Sequence, residues 1–171
     1  EATCLNRVIR WCDDGLEYET DPRQVAKLVQ ALELEGAKSC VTPGVKPLAE
    51  QFEEDKLLDA SRHTNFRALA ARANYLSADR PDCQYAAKEI CRWIAPTELS
   101  LAALKRLGRY LLGRPWFVFR YPFQSASHVD CYSDTDWAGC PKTRKSTSGG
   151  VIMLGEHILK TYSSTQPTVS L

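Results

Sequence analysis

The sequence predicts an α+β protein with helices in the middle of the chain and antiparallel strands towards both ends. Three stretches between residues 62 and 112 carry apolar side chains at helical spacing, each with a proline or capping residue near its start. Runs rich in β-branched and aromatic residues precede residue 21 and follow residue 114, with turn-forming residues between them. Short turns join neighbouring strands in antiparallel fashion, so each set of strands should form a hairpin or meander.

Size and composition indicate a globular chain without a membrane segment. The 171 residues are 44% hydrophobic and 25% charged, which suits one ordinary domain or two small ones. No run approaches the roughly 18 apolar residues of a membrane span, and no signal peptide is recognisable. We therefore expect an intracellular protein without membrane contact. Because it does not begin with Met, we also expect it to be cut from a longer protein.

The charge is unevenly distributed along the chain. Residues 1–60 carry 7 Lys and Arg against 13 Asp and Glu, whereas residues 61–171 carry 15 against 8. The C-terminal part could therefore favour a polyanion, although an ordinary mixed surface would have the same balance. The seven cysteines lack zinc-site spacing and are expected to be reduced thiols.

Residues 1–60 predict a hairpin, a helix and a linker. Two β-rich runs, 5–11 and 16–20, flank a turn centred on Asp13-Asp14-Gly15. A helix should follow, with Thr20 or Asp21 as its cap, Pro22 at its start, an apolar stripe and Gly36 just past its end; the stripe is Val25, Leu28, Val29 and Leu32. Residues 37–60 combine Pro43, Gly44 and Pro47 with acidic residues and predict an extended linker.

Three successive helices are predicted over residues 62–77, 82–95 and 98–112. Pro81 should start the second helix and Thr97 should cap the third. The expected buried side chains are Phe66, Leu69, Ala70, Ala73 and Leu76 in the first helix, Tyr85, Ala86, Ile90 and Trp93 in the second, and Leu101, Leu104, Leu107, Leu111 and Leu112 in the third. Basic residues elsewhere on the third helix suit either phosphate contact or simple solvation: Lys105, Arg106 and Arg109.

The remaining residues predict strands over 116–121, 128–133, 148–154 and 157–162, the last two joined by a turn at Gly155-Glu156. The loop before the third of these strands carries cations and hydroxyls suited to phosphate contacts, namely Lys142, Arg144, Lys145 and Ser146. A charged loop that only keeps a strand end soluble has the same composition, so both interpretations stay open.

Two carboxylates follow the strand at 128–133. If the strand continues, Asp134 and Asp136 point to the same face, because alternate side chains share a face. Carboxylates at such a position are suitable ligands for Mg²⁺, which prefers oxygen donors. The alternative is a solvated turn in which Asp136 caps a backbone amide.

The order and spacing of longer motifs add a family resemblance. Residues 132–139, 144–149 and 163–170 closely resemble the ribonuclease H region of copia-type retrotransposon Pol polyproteins, and residues 75–82 and 107–113 resemble the segment that precedes it. The resemblance implies a polymerase tail with an acidic linker at 1–60, a helical connection at 61–113 and the start of a truncated ribonuclease H-like domain at 114–171. The predicted meander would be the first part of the mixed sheet of that domain.

In that family the ribonuclease H module degrades the RNA strand of RNA–DNA hybrids with two metal ions. The resemblance implies that Asp134 is the catalytic, metal-bridging acid and that Asp136 is an outer-shell or substrate-facing residue. The family's next acid, a helical Glu, would lie past Leu171, so we expect Mg²⁺ or Mn²⁺ to serve the complete domain and to bind residues 1–171 weakly or not at all. These residues should accordingly be inactive alone.

The expected partners are an RNA–DNA hybrid or other nucleic acid and the rest of the polyprotein. The implied location is the cytoplasmic retrotransposon particle or the nucleus. Two alternatives stay open: a nucleic-acid-binding module without catalysis, and the product of a degenerate element.

Overall fold

The computed structural model describes residues 1–169 and contains two antiparallel sheets with helices between them along the chain. The first sheet has the strand order β1 (Ala2–Cys4), β2 (Arg7–Cys12), β3 (Gly15–Glu19), β4 (Val118–Pro122). The second has the order β5 (Val129–Thr135), β6 (Lys145–Leu154), β7 (His157–Val169). The helices are α1 (Pro22–Ala31), α2 (Ala49–Glu53), α3 (Ala60–Ser77), α4 (Gln84–Cys91) and α5 (Glu98–Gly113), with a 3₁₀ turn at Pro81–Cys83. The predicted α+β class is confirmed.

The predicted N-terminal hairpin is confirmed and is part of a larger sheet. Strands β2 and β3 pair with Trp11 opposite Leu16. Strand β4, which follows the helices, pairs with β3 and places Phe119 opposite Tyr18. Residues 118–122 therefore lie in the N-terminal sheet, although the family resemblance grouped them with the C-terminal strands. The proposed domain boundaries stay a prediction.

Helix α1 begins as predicted but ends earlier. The Asp21 side chain caps it by accepting a hydrogen bond from the Arg23 amide at 3.0 Å. The prediction that Gly36 ends the helix was wrong, because Glu33 takes the left-handed conformation with φ of 56°. The Glu33 amide bonds Gln30 O and the Leu34 amide bonds Val29 O, which is a Schellman motif. Burial of Leu34 in the core accompanies this turn, so hydrophobic contact outweighed the preference for glycine.

The three predicted helices are confirmed as α3, α4 and α5, and together with α1 they surround the main hydrophobic core. Helix α4 ends at Cys91, before the predicted end at residue 95, and Pro81 begins the 3₁₀ turn that precedes it. Leu28, Ala73, Leu104, Leu107 and Leu111 have no exposed surface. The linker was predicted to be extended throughout, but it contains the short helix α2. Helix α5 holds this linker, because Arg106 donates to Thr42 Oγ1 at 2.7 Å and Arg109 donates to Lys38 O at 2.6 Å. Among residues 1–169, no helix has the length and apolar content needed to cross a membrane.

A polar cluster after α3 ties the helices to the first sheet. The fully buried Arg80 makes two hydrogen bonds to Asp82, of 3.0 and 2.8 Å, and one to Arg114 O. Burial alone would raise the pKa of Asp82, but hydrogen bonds from Arg80 and Tyr110 hold it below its usual value. The neighbouring Asp79 accepts hydrogen bonds from Arg7 of β2 and Tyr18 of β3.

The predicted C-terminal meander is confirmed. Strand β6 lies between β5 and β7, with Asp134 opposite Gly149. Gly155 has φ of 56° in the turn between β6 and β7, and this left-handed conformation explains the glycine there. Strand β7 extends past the predicted end at residue 162 to Val169, through most of the closing motif. Ser170, the last residue of that motif, lies outside the described residues, as does Leu171.

Candidate carboxylate site and nucleic-acid interface

The carboxylate of Asp134 is exposed near the C-terminal end of β5. Its Oδ1 accepts a hydrogen bond from the Thr135 amide at 2.8 Å. The residue opposite it on β6 is Gly149, which has no side chain to cover the carboxylate. Asp134 lines an open groove of about 370 Å³, which we call the carboxylate groove, between residues 81–85 and the second sheet. The arrangement leaves this carboxylate accessible to a ligand in the groove.

Asp136 has a different environment from Asp134. Strand β5 ends at Thr135, so the predicted strand alternation does not extend to Asp136. The Asp136 Oδ1 accepts a hydrogen bond from the Thr147 amide at 2.5 Å, and the Asp136 amide donates to Thr147 O at 3.1 Å. A Cβ atom at Gly139 would overlap this carboxylate, which explains the glycine that follows Asp-Trp-Ala. Asp136 therefore closes the loop by capping a backbone amide, which is the alternative that the sequence left open.

The donor set does not fit a two-metal centre within the described chain. Among residues 1–169, no three His, Cys, Asp or Glu side chains come together in a group able to hold a metal ion. Asp134 and Asp136 both line the carboxylate groove, and each already accepts a backbone hydrogen bond. A hard cation such as Mg²⁺ needs several oxygen ligands, and two carboxylates would leave it mostly hydrated. A two-metal site therefore needs ligands beyond those described.

The cationic loop between Cys140 and Ser146 presents three of the four residues predicted to contact phosphate. Lys142 and Arg144 are exposed, and Lys145 is half-buried at the start of β6. Ser146 is only 2% exposed, and its hydroxyl accepts a hydrogen bond from the Ala138 amide at 2.9 Å. Ser146 thus fixes the fold of the loop from inside, and we do not include it in the candidate interface.

A cluster on and after α4 was not recognised as a candidate site in the sequence. Tyr85 was expected in the core but is 41% exposed. Arg92 lies 4.8 Å from the centre of the Trp93 ring and donates to Thr143 Oγ1 at 3.1 Å. Lys88 donates to Thr147 Oγ1 at 2.8 Å. The signal was present in the spacing, since Tyr85, Lys88 and Arg92 recur at intervals of three and four and share one face of a helix.

This cluster also connects the helices to the second sheet. Lys88 bonds Thr147 of β6, and Arg92 bonds Thr143 of the cationic loop. Gln84 donates to Thr161 O of β7 at 3.4 Å. Near the turn between β6 and β7, His157 lies 2.7 Å from Pro122 O of β4. The carboxylate groove is therefore bounded on one side by α4 and on the other by the sheet that carries Asp134.

Comparison with known proteins shows similarity to proteins of plant retrotransposons and mitochondria. An uncharacterised mitochondrial protein of Arabidopsis thaliana, AtMg00810, is 37% identical over 91% of this chain and 68% of its own length. The retrovirus-related Pol polyproteins from transposons RE1 and RE2 of the same plant are 32% and 33% identical, over 86% and 78% of this chain. The match spans only 10% and 9% of those polyproteins. No family profile and no solved structure matches the chain.

These similarities define the class of protein. The relatives include retrovirus-related Pol polyproteins of transposons, which match most of this chain. The chain belongs to the family of copia-type retrotransposon Pol polyproteins and corresponds to a segment of such a polyprotein.

Proposed function

We propose that this chain contributes the first strands and the first metal-binding carboxylate of a ribonuclease H module to a Pol polyprotein. In the complete polyprotein that module would degrade the RNA strand of RNA–DNA hybrids. Asp134 would be its catalytic residue from this segment, with Mg²⁺ or Mn²⁺ as cofactor. The observation that carries the proposal is the exposed Asp134 carboxylate at the end of the first strand of an antiparallel meander.

The surroundings of Asp134 support a nucleic-acid ligand. The groove that contains it is open, and Gly149 leaves room beside the carboxylate. The loop with Lys142, Arg144 and Lys145 ends where β6 begins. A hydrogen bond from the Thr147 amide of β6 to the Asp136 carboxylate holds the two ends of this loop together. Exposed cations beside an open groove are suitable contacts for a phosphate backbone, which positions a nucleic acid without reading its sequence.

The role proposed for Asp136 changes with the geometry. Its carboxylate holds the loop closed through the Thr147 amide, so it supports Asp134 and the cations indirectly. We therefore assign it a positioning role in place of the outer-shell or substrate-facing role implied by the resemblance.

A second candidate function is nucleic-acid binding without catalysis. The specific observation in its favour is the donor set, since no three metal-ligating side chains come together among the described residues. We expect residues 1–171 by themselves to behave in this way: they would bind hybrid in a salt-dependent manner and would not cleave it in Mg²⁺ or Mn²⁺.

The test compares this chain with the full Pol polyprotein on a labelled RNA–DNA hybrid. The polyprotein should cleave the RNA strand, and Asp134→Asn should abolish cleavage while hybrid affinity is retained, because the change removes a charge and little volume. Replacing Lys142, Arg144 and Lys145 together with Gln should reduce the slope of log affinity against log salt by up to about three.

Each outcome discriminates between the candidates. Cleavage that survives Asp134→Asn would show that the active site lies elsewhere and would reject the proposal. A polyprotein that binds hybrid without cleaving it would favour the non-catalytic module. If neither protein binds hybrid, both candidate functions are rejected.

A further inference from the structure

A second groove lies beside the carboxylate groove. It has a cavity volume of about 90 Å³ and is bounded by the linker at 43–47, helix α4 and the loop at 136–142. Three aromatic side chains line it, Phe52, Tyr85 and Trp93. We call it the aromatic groove. Its lining is mostly apolar side chains with a few charged groups, which is typical of a ligand site.

The two grooves are adjacent. Tyr85, Asp136 and Thr147 line both of them. A strand that extends from a ligand at Asp134 would meet the aromatic groove at the Tyr85 ring. Tyr85 is 41% exposed at this junction, so its ring is available for contact.

Three acidic and three basic residues line the aromatic groove, so its formal charge is balanced. Its acidic residues are already engaged: Glu89 pairs with Lys88 at 2.5 Å and with Arg92 at 2.9 Å. Asp55 accepts a hydrogen bond from the Leu99 amide at 3.1 Å, and Asp136 accepts one from Thr147.

The cations of this groove are less constrained. Among the residues that the structure describes, Lys46 and Lys142 form no ion pair, and Lys142 lies 5.1 Å from the centre of the Trp93 ring. The Lys46 ammonium group can therefore meet a phosphate along the groove, and that of Lys142 can do so beside the Trp93 ring.

We propose that the aromatic groove binds single-stranded nucleic acid that extends from a hybrid held at Asp134. The inference rests on the proposed function, since it supplies the hybrid. Unpaired bases can stack on aromatic side chains, whereas the bases of a duplex keep their faces stacked on each other. Tyr85 and Trp93 would supply stacking surfaces, and Lys46 and Lys142 would contact the backbone. Stacking is tolerant of sequence, so the groove would accept any base.

The experiment measures the affinity of the full chain for three labelled hybrids by fluorescence anisotropy. One hybrid is blunt, the second carries a short single-stranded thymidine overhang, and the third carries an abasic overhang of the same length. The thymidine overhang should tighten binding about tenfold relative to the blunt hybrid. The abasic overhang should give a smaller gain, because it keeps the phosphate contacts but has no bases to stack.

Two tyrosine variants localise the effect. Tyr85 lines both grooves, so the gain is measured within each variant as the ratio of its affinity for the thymidine-overhang hybrid to its affinity for the blunt hybrid. Tyr85→Ala should bring this ratio close to one. Tyr75→Ala is the matched control, since Tyr75 is 51% exposed on α3 and does not line the groove. The control should keep the full gain.

The failures of this inference and of the proposed function are distinguishable. If the blunt hybrid binds and the overhang adds nothing, the aromatic groove is not a single-strand site, and the proposed function stands. An equal gain from the abasic overhang, or a gain that survives Tyr85→Ala, would also overturn the inference. Failure to bind the blunt hybrid would reject the proposed function and this inference with it.

Discussion

The helical region and the C-terminal meander are stabilised in different ways. Helices α1, α3, α4 and α5 share a core in which several side chains have no exposed surface. Among described residues 129–169, only Ala138, Cys140 and Ser146 are buried, and they belong to the loop and its junction with β6. The side chains of β5, β6 and β7 otherwise stay half-buried or exposed. Hydrophobic burial therefore stabilises the first region, while strand pairing and a few polar contacts maintain the second.

This difference separates the scaffold from the site. The meander carries Asp134 and the cationic loop, and its limited burial leaves surface free for a ligand. The contacts that hold it to the helices come from Gln84, Lys88 and Arg92 of the α4 region. Changes in the helical core should thus alter global stability, whereas changes in the meander should act locally and on binding.

The largest expected effect tests the buried core. Leu107 has no exposed surface, so Leu107→Ala should lower the free energy of unfolding by about 2–5 kcal/mol. Ile152 is only half-buried on β6, so Ile152→Ala should cost about 1 kcal/mol. Urea unfolding followed by circular dichroism measures both. Equal costs would show that the meander is packed as tightly as the helices, and the comparison would fail.

An intermediate effect tests the loop closure at Asp136. Gly139→Ala should displace the carboxylate and weaken its hydrogen bond to the Thr147 amide, at a cost of about 1.5–3 kcal/mol. Hydrogen exchange of the Thr147 amide should become faster. The matched control is Gly149→Ala, whose Cβ would meet only Tyr162 O at 3.7 Å, an ordinary contact. Unchanged exchange in Gly139→Ala would contradict the capping role of Asp136.

The smallest effect concerns acid stability of the helical region. The pKa of Asp82 in the folded protein lies below its usual value of 3.8, so the folded state binds fewer protons there than the unfolded state. The stability that Asp82 contributes is present above pH 3.8 and is lost as the pH falls below it.

Asp82→Asn should flatten this part of the curve of unfolding free energy against pH. Tyr110→Phe, which removes one hydrogen bond to Asp82, should flatten it partly. The curve is obtained from urea titrations at several pH values. A slope unchanged in Asp82→Asn would assign the acid sensitivity to other groups.

Much of the fold could be predicted from local sequence. The N-terminal hairpin, helix α1 and the helices α3 to α5 follow from apolar periodicity, caps and prolines, because these signals act within a few residues. The meander follows from alternating strands and the turn at Gly155. The errors arose where contacts between distant residues determine the structure. Burial of Leu34 in the core accompanies the early end of α1. Hydrogen bonds from Arg106 and Arg109 hold the linker, which composition alone predicted to be extended.

The candidate site was predicted less completely than the fold. The sequence identified Asp134 and the cationic loop, since a motif and a charge pattern are both local. It could not decide whether Asp136 is a metal ligand or caps a backbone amide, because the amide that it caps, that of Thr147, is eleven residues away in sequence. It also assigned Tyr85 to the core, because helical periodicity does not reveal which flank of a helix a neighbouring sheet will cover.

The sequence by itself determined most of the secondary structure, the candidate acid and the family motifs, because propensities, turns and motifs are encoded in short stretches. Only the tertiary structure decided that β4 joins the N-terminal sheet, that Arg80 is fully buried, and that two adjacent grooves lie beside α4. Each of these features brings together residues from separate parts of the chain. Their positions depend on the packing of whole elements, and no short stretch contains that information.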